Sequence, residues 1–513
     1  MKCFMGIDAG TSGIKVVIVD EKGTVLGTGS HECDVVTPRP GWVEQAPETW
    51  WNACCAAAKQ AAAASGHGKD VMGIGFSGQM QGCTPLDKDL RPIGNSIIWL
   101  DQRSSQEVGD IERLMRDEES ISITSNHCLN SFWAPKLLWI KKKRPAEYER
   151  ISKVVFAKDY IRLQMTGEIA TEVSDASLSF LMDVPNRRWS QEMFDRLGID
   201  MDIVPERLAE SFEVVGQLRK EVAEDWGIPT GIPVVAGGGD QPAGGVGTGI
   251  VRPGIIGATI GTSGVVFGCT ANPLVDKQRR ALMTMAHSVE NKWCFLGLEL
   301  CAGGAFKWLR DTVFTNEKAD CAAKKLDIYD HMTALAEKAA PGCEGLTFLP
   351  YLNGEKTPIS DENARGVFFG LSLRHGLAEI TRSVMEGVTF GLRDTIEICR
   401  EMGQEITEVR ANGGGAKSRL WLQMQADIYN AAVVTTNIGE GPAAGAAIMA
   451  AVGAGYFDTV TEGGDAWIKI TKRIDPDPRA VEIYNAYYAT YRQLYRDLKI
   501  SFAHQAEIVN QYR

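Results

Sequence analysis

The sequence predicts an α/β protein made of two large domains, on three observations. The chain has 513 residues, too many for one ordinary core but well suited to two α/β domains of about 250 residues each. The tetrapeptide GTSG occurs at residues 10–13 and again at 261–264. The copies lie about half a chain apart, each between two apolar runs, which points to a duplicated domain. Several further segments read as strand, glycine loop, then helix, the repeating unit of an α/β sheet.

Taken in order, the start is strongly β. An apolar run over residues 4–8 closes on the carboxylate of Asp8, and GTSG follows. A second run covers residues 15–20, and after the turn EKG a third begins at Val25. Runs broken by glycine turns predict an antiparallel meander. Residues 71–76 lead into SGQMQG, residues 233–236 into GGGDQPAGG, and residues 407–411 into NGGGAKSRLWLQMQADIY. The last of these carries helical spacing at Leu420, Met424 and Ile428. In α/β sheets ligands gather at loops beyond the carboxyl ends of strands. The run KKKR at 141–144 precedes Pro145 and suits the last turn of a helix, where the dipole favours cations. A glycine- and proline-bearing stretch near residues 245–252 is read as the connection between domains of residues 1–248 and 249–513. Tyr484, Tyr487, Tyr488, Tyr491 and Tyr495 form a stripe predicting a C-terminal helix docked on the body.

Composition narrows the function. Hydrophobic residues make up 44% and charged residues 23% of the chain, which excludes a disordered or fibrous protein. The net charge of −11 disfavours sequence-independent nucleic-acid binding. The 12 cysteines form no CxxC pair, so they read as buried thiols of a reduced, cytoplasmic protein and not as a zinc site. Asp8 interrupts any leader-like apolar segment. The apolar stretch over 254–268 is too short and glycine-rich to cross a bilayer, so no membrane partner is expected. No GxxxxGK[ST], GxSxG, HExxH or early GxGxxG is present.

Three glycine loops remain, at residues 10–13, 261–264 and 413–415. Each is either a plain turn or a concavity of backbone N–H groups that binds an anion. Two matching loops from two half-chains could grip one polyphosphate from both sides, which favours a nucleotide in an interdomain cleft. Asp8, beside the first loop, would repel a phosphate unless a cation sits between them. It reads as a Mg²⁺-side ligand acting through water, or as a turn cap. Lys15 either reaches a phosphate or lies on an exposed strand face. Asp240, behind three glycines, suits a carboxylate that accepts a hydroxyl proton, and an N-cap role is compatible with that. Gln79, Met80 and Gln81 put two amides in a glycine-flanked turn, either a polyol site or a surface turn. Asp101 and Arg103, in WLDQR, are equally ambiguous.

These segments, in this order, resemble the FGGY family of carbohydrate kinases, which share the actin-like, ribonuclease-H-like ATPase fold. The likeness runs from GIDAGTSGIKV at 6–16 to GPAAGAAIMA at 441–450 and includes the C-terminal signature over 366–387, with Gly370, Leu371, Glu379, Ser383 and Glu386. The N-terminal signature is similar in APKLLW at 134–139, although Trp133 stands where the family has Pro, Ser or Thr. GQMQG, WLDQR, AKDYIRLQMTGE, VVAGGGD and FLPYLNGEKTP look most like the xylulose kinase branch.

The resemblance implies two actin-like domains, ATP with Mg²⁺, and Asp240 as catalytic base. Asp8 and Asp240 would lie on the Mg²⁺ side. Thr11, Ser12, Gly13 and Lys15 would meet the phosphates from the first domain, and Gly261 and Thr262 from the second. Gly303 and Lys307 would line the nucleotide site, and Gly414, Gly415 and Ala416 would hold the adenosine end. Gln79, Met80, Gln81, Asp101, Arg103, Asp240 and Gln241 would form the sugar site. Two positions depart from the xylulose kinase pattern: Gln81 replaces His, and Gln241 replaces Asn. The expected product is the terminal phosphate ester of a small ketose, D-xylulose first, with another ketose or an alditol as the alternative. Family analogy suggests a homodimer.

Overall fold

The computed structural model describes residues 1–277 and 281–512. The first apolar run forms the strand Cys3–Ala9 (β1), buried apart from Asp8. The chain turns through the first GTSG into Gly13–Asp20 (β2). It turns again where Asp20 Oδ1 accepts from the backbone N–H groups of Lys22 and Thr24, and returns as Val25–Glu32 (β3). This is the antiparallel meander expected. Val71–Gly78 (β4) then pairs parallel to β1; Val214–Gln217 (β5) lies at the edge, antiparallel to Pro233–Val235 (β6), which pairs with β4. The order is β5-β6-β4-β1-β2-β3, with Gly238–Gly239 extending alongside β4.

The second half repeats the plan. Ile255–Ile260 (β7) turns through the second GTSG into Gly264–Thr270 (β8); the next strand, Met283–Ala286 (β9), does not pair with β8 but with Trp293–Glu299 (β10), which lies between them. Glu408–Gly413 (β11) is parallel to β7 and to Ala432–Thr436 (β12), and Ile470–Ile474 (β13) closes the edge antiparallel. The order β9-β10-β8-β7-β11-β12-β13 places the meander and the parallel strands as in the first sheet.

Helices cover the sheets. Pro47–Ser65 (α1) lays an alanine face on β2 and β3. Trp133–Lys143 (α2) ends on its lysines immediately before Arg144 and Pro145, as the KKKR run suggested. Ala157–Thr166 (α3) packs beside α1. Asp240–Gly247 (α4) begins at the candidate base. In the second half come Gly303–Thr312 (α5), Leu377–Glu401 (α6), Arg419–Tyr429 (α7), Gly441–Gly453 (α8) and the tyrosine-striped Pro478–Gln511 (α9). Tyr484, Tyr488, Tyr491 and Tyr495 of α9 are buried in the second core.

The expected connection over 245–252 begins later than expected: residues 245–247 are the end of α4, whose glycines serve a helix crossing, and residues 248–254 join α4 to β7. A Cβ on Gly247 would lie 1.8 Å from the carbonyl oxygen of Gly441, and one on Gly445 would lie 1.9 Å from that of Ala243. Only glycine permits such an approach of two backbones. α8 also reaches across to the first sheet, where a Cβ on Gly6 would meet the Ala443 carbonyl oxygen at 2.0 Å. In return, α4 lies against β8, with Gly245 under the ring of Phe267. Each half thus contributes one helix to a shared apolar core that includes Phe4, Val246, Ala446 and Trp467.

Candidate active site

Asp8, beside the first GTSG turn, lies near Asp240 at the start of α4, and Glu440, before α8, reaches this place through Lys15. Asp8, at the end of β1, accepts a hydrogen bond from Ser77 Oγ at 2.9 Å. Burial pushes its carboxyl up and the Ser77 hydroxyl opposes this; Glu440 raises it further and Lys15 lowers it. Asp240 opens α4 and stays partly exposed. Burial, then the charge of Asp8, push it up to about 7, while the backbone and side chain of Gln241 hold it down. The charge of Asp8 acting on Asp240 places the two carboxyls near each other. Neither bears a salt bridge to a cationic side chain among the described residues. That donor set fits Mg²⁺, which keeps most of its waters and takes one or two carboxylates plus phosphate oxygens.

The first GTSG turn is braced from behind. Gln45 Nε2 donates to the Thr11 carbonyl at 2.8 Å, and Trp99 Nε1 donates to Thr11 Oγ1 at 2.9 Å. Ser12 and Gly13 complete the turn, and the Cys33 N–H donates to the Ser12 carbonyl. Lys15 reaches neither loop nor solvent alone: its Nζ pairs with Glu440 at 2.5 Å, both side chains about two-fifths exposed. Glu440 caps α8, so this pair joins the halves.

The second loop continues into a cavity of about 290 Å³. Gly261, Thr262, Gly303, Lys307, Gly414 and Gly415 all line it, so six residues singled out from distant segments meet in one space. The N–H groups of Gly303 and Gly304, at the start of α5, donate to the carbonyls of Gly261 and Thr262, which ties a helix N-terminus to the loop. Ala416 is not among the lining residues; it packs against the core instead. Phe306, Tyr329 and Trp421 supply apolar walls, and Tyr329 stacks on Phe306 with ring centroids 5.7 Å apart. Sequence reasoning missed Tyr329, which no motif flags. Trp421, eight residues after Gly413 on the helix that follows the glycine loop, carried a usable signal.

On the acceptor side, Met80 folds over the glycines ahead of Asp240: a Cβ on Gly239 would lie 2.7 Å from the Met80 sulfur. The Gln81 side chain extends towards the second half, with Nε2 3.9 Å from Met283 Sδ. Gln241 sits beside Asp240 on the first turn of α4, partly exposed. The structure therefore gathers Met80, Gln81, Asp240 and Gln241. Gln79 has an inward place: its amide donates to Gln45 Oε1 at 2.8 Å and its Oε1 faces the Thr11 hydroxyl at 3.4 Å. It links the Met80–Gln81 loop to the first GTSG turn. Asp101 and Arg103 lie behind that loop, held by partners of their own, and the Arg103 Nη1 is left without a protein partner. Both side chains are fully buried and pair with each other at 2.7 Å, Asp101 accepts from the Val43 N–H at 2.6 Å, and the guanidinium stacks on Trp42. Buried charges without a partner are costly; Asp101 and Glu44, the latter at 2.8 Å, take the guanidinium's charge. Trp99, Leu100 and Gln102 of that segment are exposed.

Beneath the acceptor loop lies a buried ionic network. Lys158 contacts Asp175 at 2.8 Å and Glu172 at 3.1 Å, and Arg162 contacts Asp159 at 2.9 Å. Ser174 Oγ accepts from the Gly239 N–H at 3.0 Å, so the same network steadies the loop that carries Asp240. Burial, with Glu172 adding to it against the pull of Lys158, pushes Asp175 up to about 7.

Known proteins match this architecture from end to end. Models of the FGGY family of carbohydrate kinases match residues 3–247 with the N-terminal domain and 257–454 with the C-terminal domain. A xylulose kinase of Staphylococcus epidermidis is 35% identical over 507 residues, covering 99% of both chains. One of Escherichia coli is 37% identical over 500 residues, covering 96% of this chain and 99% of that one. The crystal structure of xylulose kinase from Rhodospirillum rubrum superposes with a TM-score of 0.90 at 28% identity, over 98% of this chain and all of that one. With two GTSG turns, a cavity beyond the second and a carboxylate against the Met80–Gln81 loop, this chain belongs to the FGGY family of carbohydrate kinases, phosphotransferases with an alcohol acceptor that use ATP as substrate.

Proposed function

We propose that this protein transfers the γ-phosphate of ATP to the terminal hydroxyl of D-xylulose, giving D-xylulose 5-phosphate. The observation that carries the reading is Asp240: a carboxyl held near neutrality, at a helix start, directly against the Met80–Gln81 acceptor loop. Full-length likeness to proteins named xylulose kinases supports the choice of sugar. Asp240 accepts the proton of the C5 hydroxyl as its oxygen bonds the γ-phosphorus. The bond from that phosphorus to the β–γ bridging oxygen breaks, ADP leaves, and the proton passes from Asp240 to solvent. Little covalent chemistry is asked of the protein, so positioning and charge carry most of the rate.

Thr11, Ser12, Gly13 and Lys15 would take the phosphates from one side, and Gly261 and Thr262 from the other. Gly303, Lys307, Gly414, Gly415 and the aromatic walls would take the adenosine. Asp8 and Asp240 would hold Mg²⁺, which supplies charge neutralisation on the phosphates. Residues 1–248 and 249–513 would act as the two closing domains, with α8 as an arm of the second laid on the first sheet. Twelve free cysteines, eleven of them buried, suit a cytoplasmic setting, and no helix among the described residues is long and apolar enough to cross a membrane. A homodimer completes the reading.

Gln81 and Gln241 favour one rival: a different ketose or an alditol, because both amides shift the donors that read hydroxyls. A coupled ADP-release assay over pentuloses, hexuloses, tetritols and glycerol decides. D-xylulose should lead by at least tenfold in kcat/KM, and Gln81→His with Gln241→Asn should not improve it. A tenfold gain for D-xylulose in that double variant, from a poor start, would favour the rival.

A further inference from the structure

Gln81 has φ of 67°. A residue with a Cβ persists in the left-handed region only where its surroundings over-determine it, and such positions cluster at functional sites. The surroundings here are specific. The Gln81 N–H donates to Asp175 Oδ1 at 3.2 Å, and its carbonyl accepts from Lys136 Nζ at 2.8 Å. The next carbonyl, of Gly82, accepts from Trp133 Nε1 at 2.7 Å. Trp133, Lys136 and Asp175 are each 0% exposed.

None of the three is free to follow the loop. Trp133 stacks on Phe156 with centroids 3.9 Å apart, and Asp175 is held by Lys158. Lys136 is the unusual member. Its second partner is another carbonyl, of Ile97, at 3.2 Å, and among the described residues no carboxylate pairs with it. Burying an ammonium for two carbonyls is expensive, and burial pulls it down to about 8. Core packing does not call for it, since an apolar side chain would fill that space at lower cost. What the ammonium does is hold the peptide that aims Gln81 towards the cleft, 3.9 Å from Met283 Sδ of the second half.

We propose that Trp133, Lys136 and Asp175 are positioning residues that set acceptor specificity. Together they lock the Gln81–Gly82 peptides in the left-handed turn and so fix which hydroxyl the Gln81 amide reads. The proposal rests on the sugar kinase reading. A released Gln81 returns to ordinary backbone angles and carries its amide away from the hydroxyl it bonds. Discrimination between acceptors then falls more than turnover does, because a misplaced donor no longer rejects the analogue that lacks the group.

The test is Lys136→Met, which keeps an unbranched stem and removes the donor, and Trp133→Phe, which keeps a ring and removes only the N–H. Each is assayed for kcat and KM on D-xylulose, other pentuloses and tetritols, and for KM on ATP, with melting followed in parallel. Lys136→Met should raise the sugar KM at least tenfold and shrink the ratio between the best and second-best acceptor at least fivefold. The KM for ATP should stay within twofold. Gln81→Gly adopts the turn without strain, so adding Lys136→Met to it should change the ratio less than threefold further. If Lys136→Met does not fold, Trp133→Phe carries the test, with a threefold or greater loss of the acceptor ratio expected. A folded variant with the wild-type ratio, or one that weakens ATP and every sugar alike, overturns the clamp while leaving the kinase reading intact. Wild type that phosphorylates no acceptor overturns the kinase reading and the clamp with it.

Discussion

Replacing Asp240 by Asn separates its chemistry from its cost to the fold. The carboxyl stands at about 7 in the folded protein against an ordinary 3.8, so between those values the folded state binds more protons than the unfolded one. Wild-type stability therefore falls as pH rises from about 4 through 7, and the contribution is fully present only below the unfolded value. The full shift corresponds to ~4 kcal/mol at pH 8; partial exposure to the cleft reduces this to about 2 kcal/mol. Asn carries no charge, so Asp240→Asn should melt several degrees higher than wild type at pH 8, on the order of 2–4 °C per kcal/mol for domains of this size. The gain should shrink towards zero near pH 4. Over the same range the variant should lose turnover by about 10² to 10⁴, the usual contribution of a general base, with nucleotide affinity little changed. Differential scanning calorimetry across pH and a steady-state assay read both. A variant that keeps above roughly a tenth of wild-type kcat removes Asp240 from the base role. A melting difference that does not grow with pH refutes the electrostatic account of its burial.

Four further outcomes follow from the same geometry. The kcat/KM for sugar should fall as pH drops below about 7, because Asp240 must be ionised to accept a proton, and a flat profile from pH 5 to 8 would contradict this. Thr262→Val and Trp421→Ala should raise KM for ATP more than for sugar, since both residues line the cavity beyond the second loop; the reverse order contradicts that assignment. Glu440→Gln releases Lys15 from an exposed pair, so calorimetry should show ATP binding unchanged to about fivefold tighter, and a tenfold loss would mean that Glu440 itself serves the nucleotide. Small-angle scattering should show a smaller radius of gyration with sugar plus a non-hydrolysable ATP analogue, as hinged domains close; no compaction at saturation speaks against closure.

Much of this was legible in the sequence because it lay in backbone-determined motifs. The two GTSG turns each sit in a strand–turn–strand unit, and a hairpin announces itself locally. The cavity beyond the second GTSG turn was legible piecewise, as Gly261, Gly303 and Gly414, because glycine loops mark where something approaches the backbone. A second internal repeat went unread: DQPAGG at residues 240–245 and EGPAAG at 440–445 open α4 and α8, the helices that cross. Strings of glycine and alanine read as a linker, and only their contact shows that the missing side chains allow helix approach. Polar residues were the hardest to place. Asp101 and Arg103 pair with each other out of solvent, and Arg103 also holds Glu44, a partnership the WLDQR string does not announce. Glu379 and Glu386 of the signature segment turn out to be structural: one caps α6 at the Gly376 N–H, the other joins Arg382 and Tyr484. Trp133, which departs from the family pattern, proves to hold the Gly82 carbonyl, a partnership that no spacing along the chain could reveal.

The central claim is phosphoryl transfer from ATP to the terminal hydroxyl of D-xylulose. Phosphorus NMR of wild type with ATP, Mg²⁺ and D-xylulose reads the bond itself. The account predicts one new phosphomonoester resonance, split by the two protons on C5, growing in step with ADP and absent when sugar is omitted. Inorganic phosphate appearing with ADP, or an ester on another carbon, would contradict it.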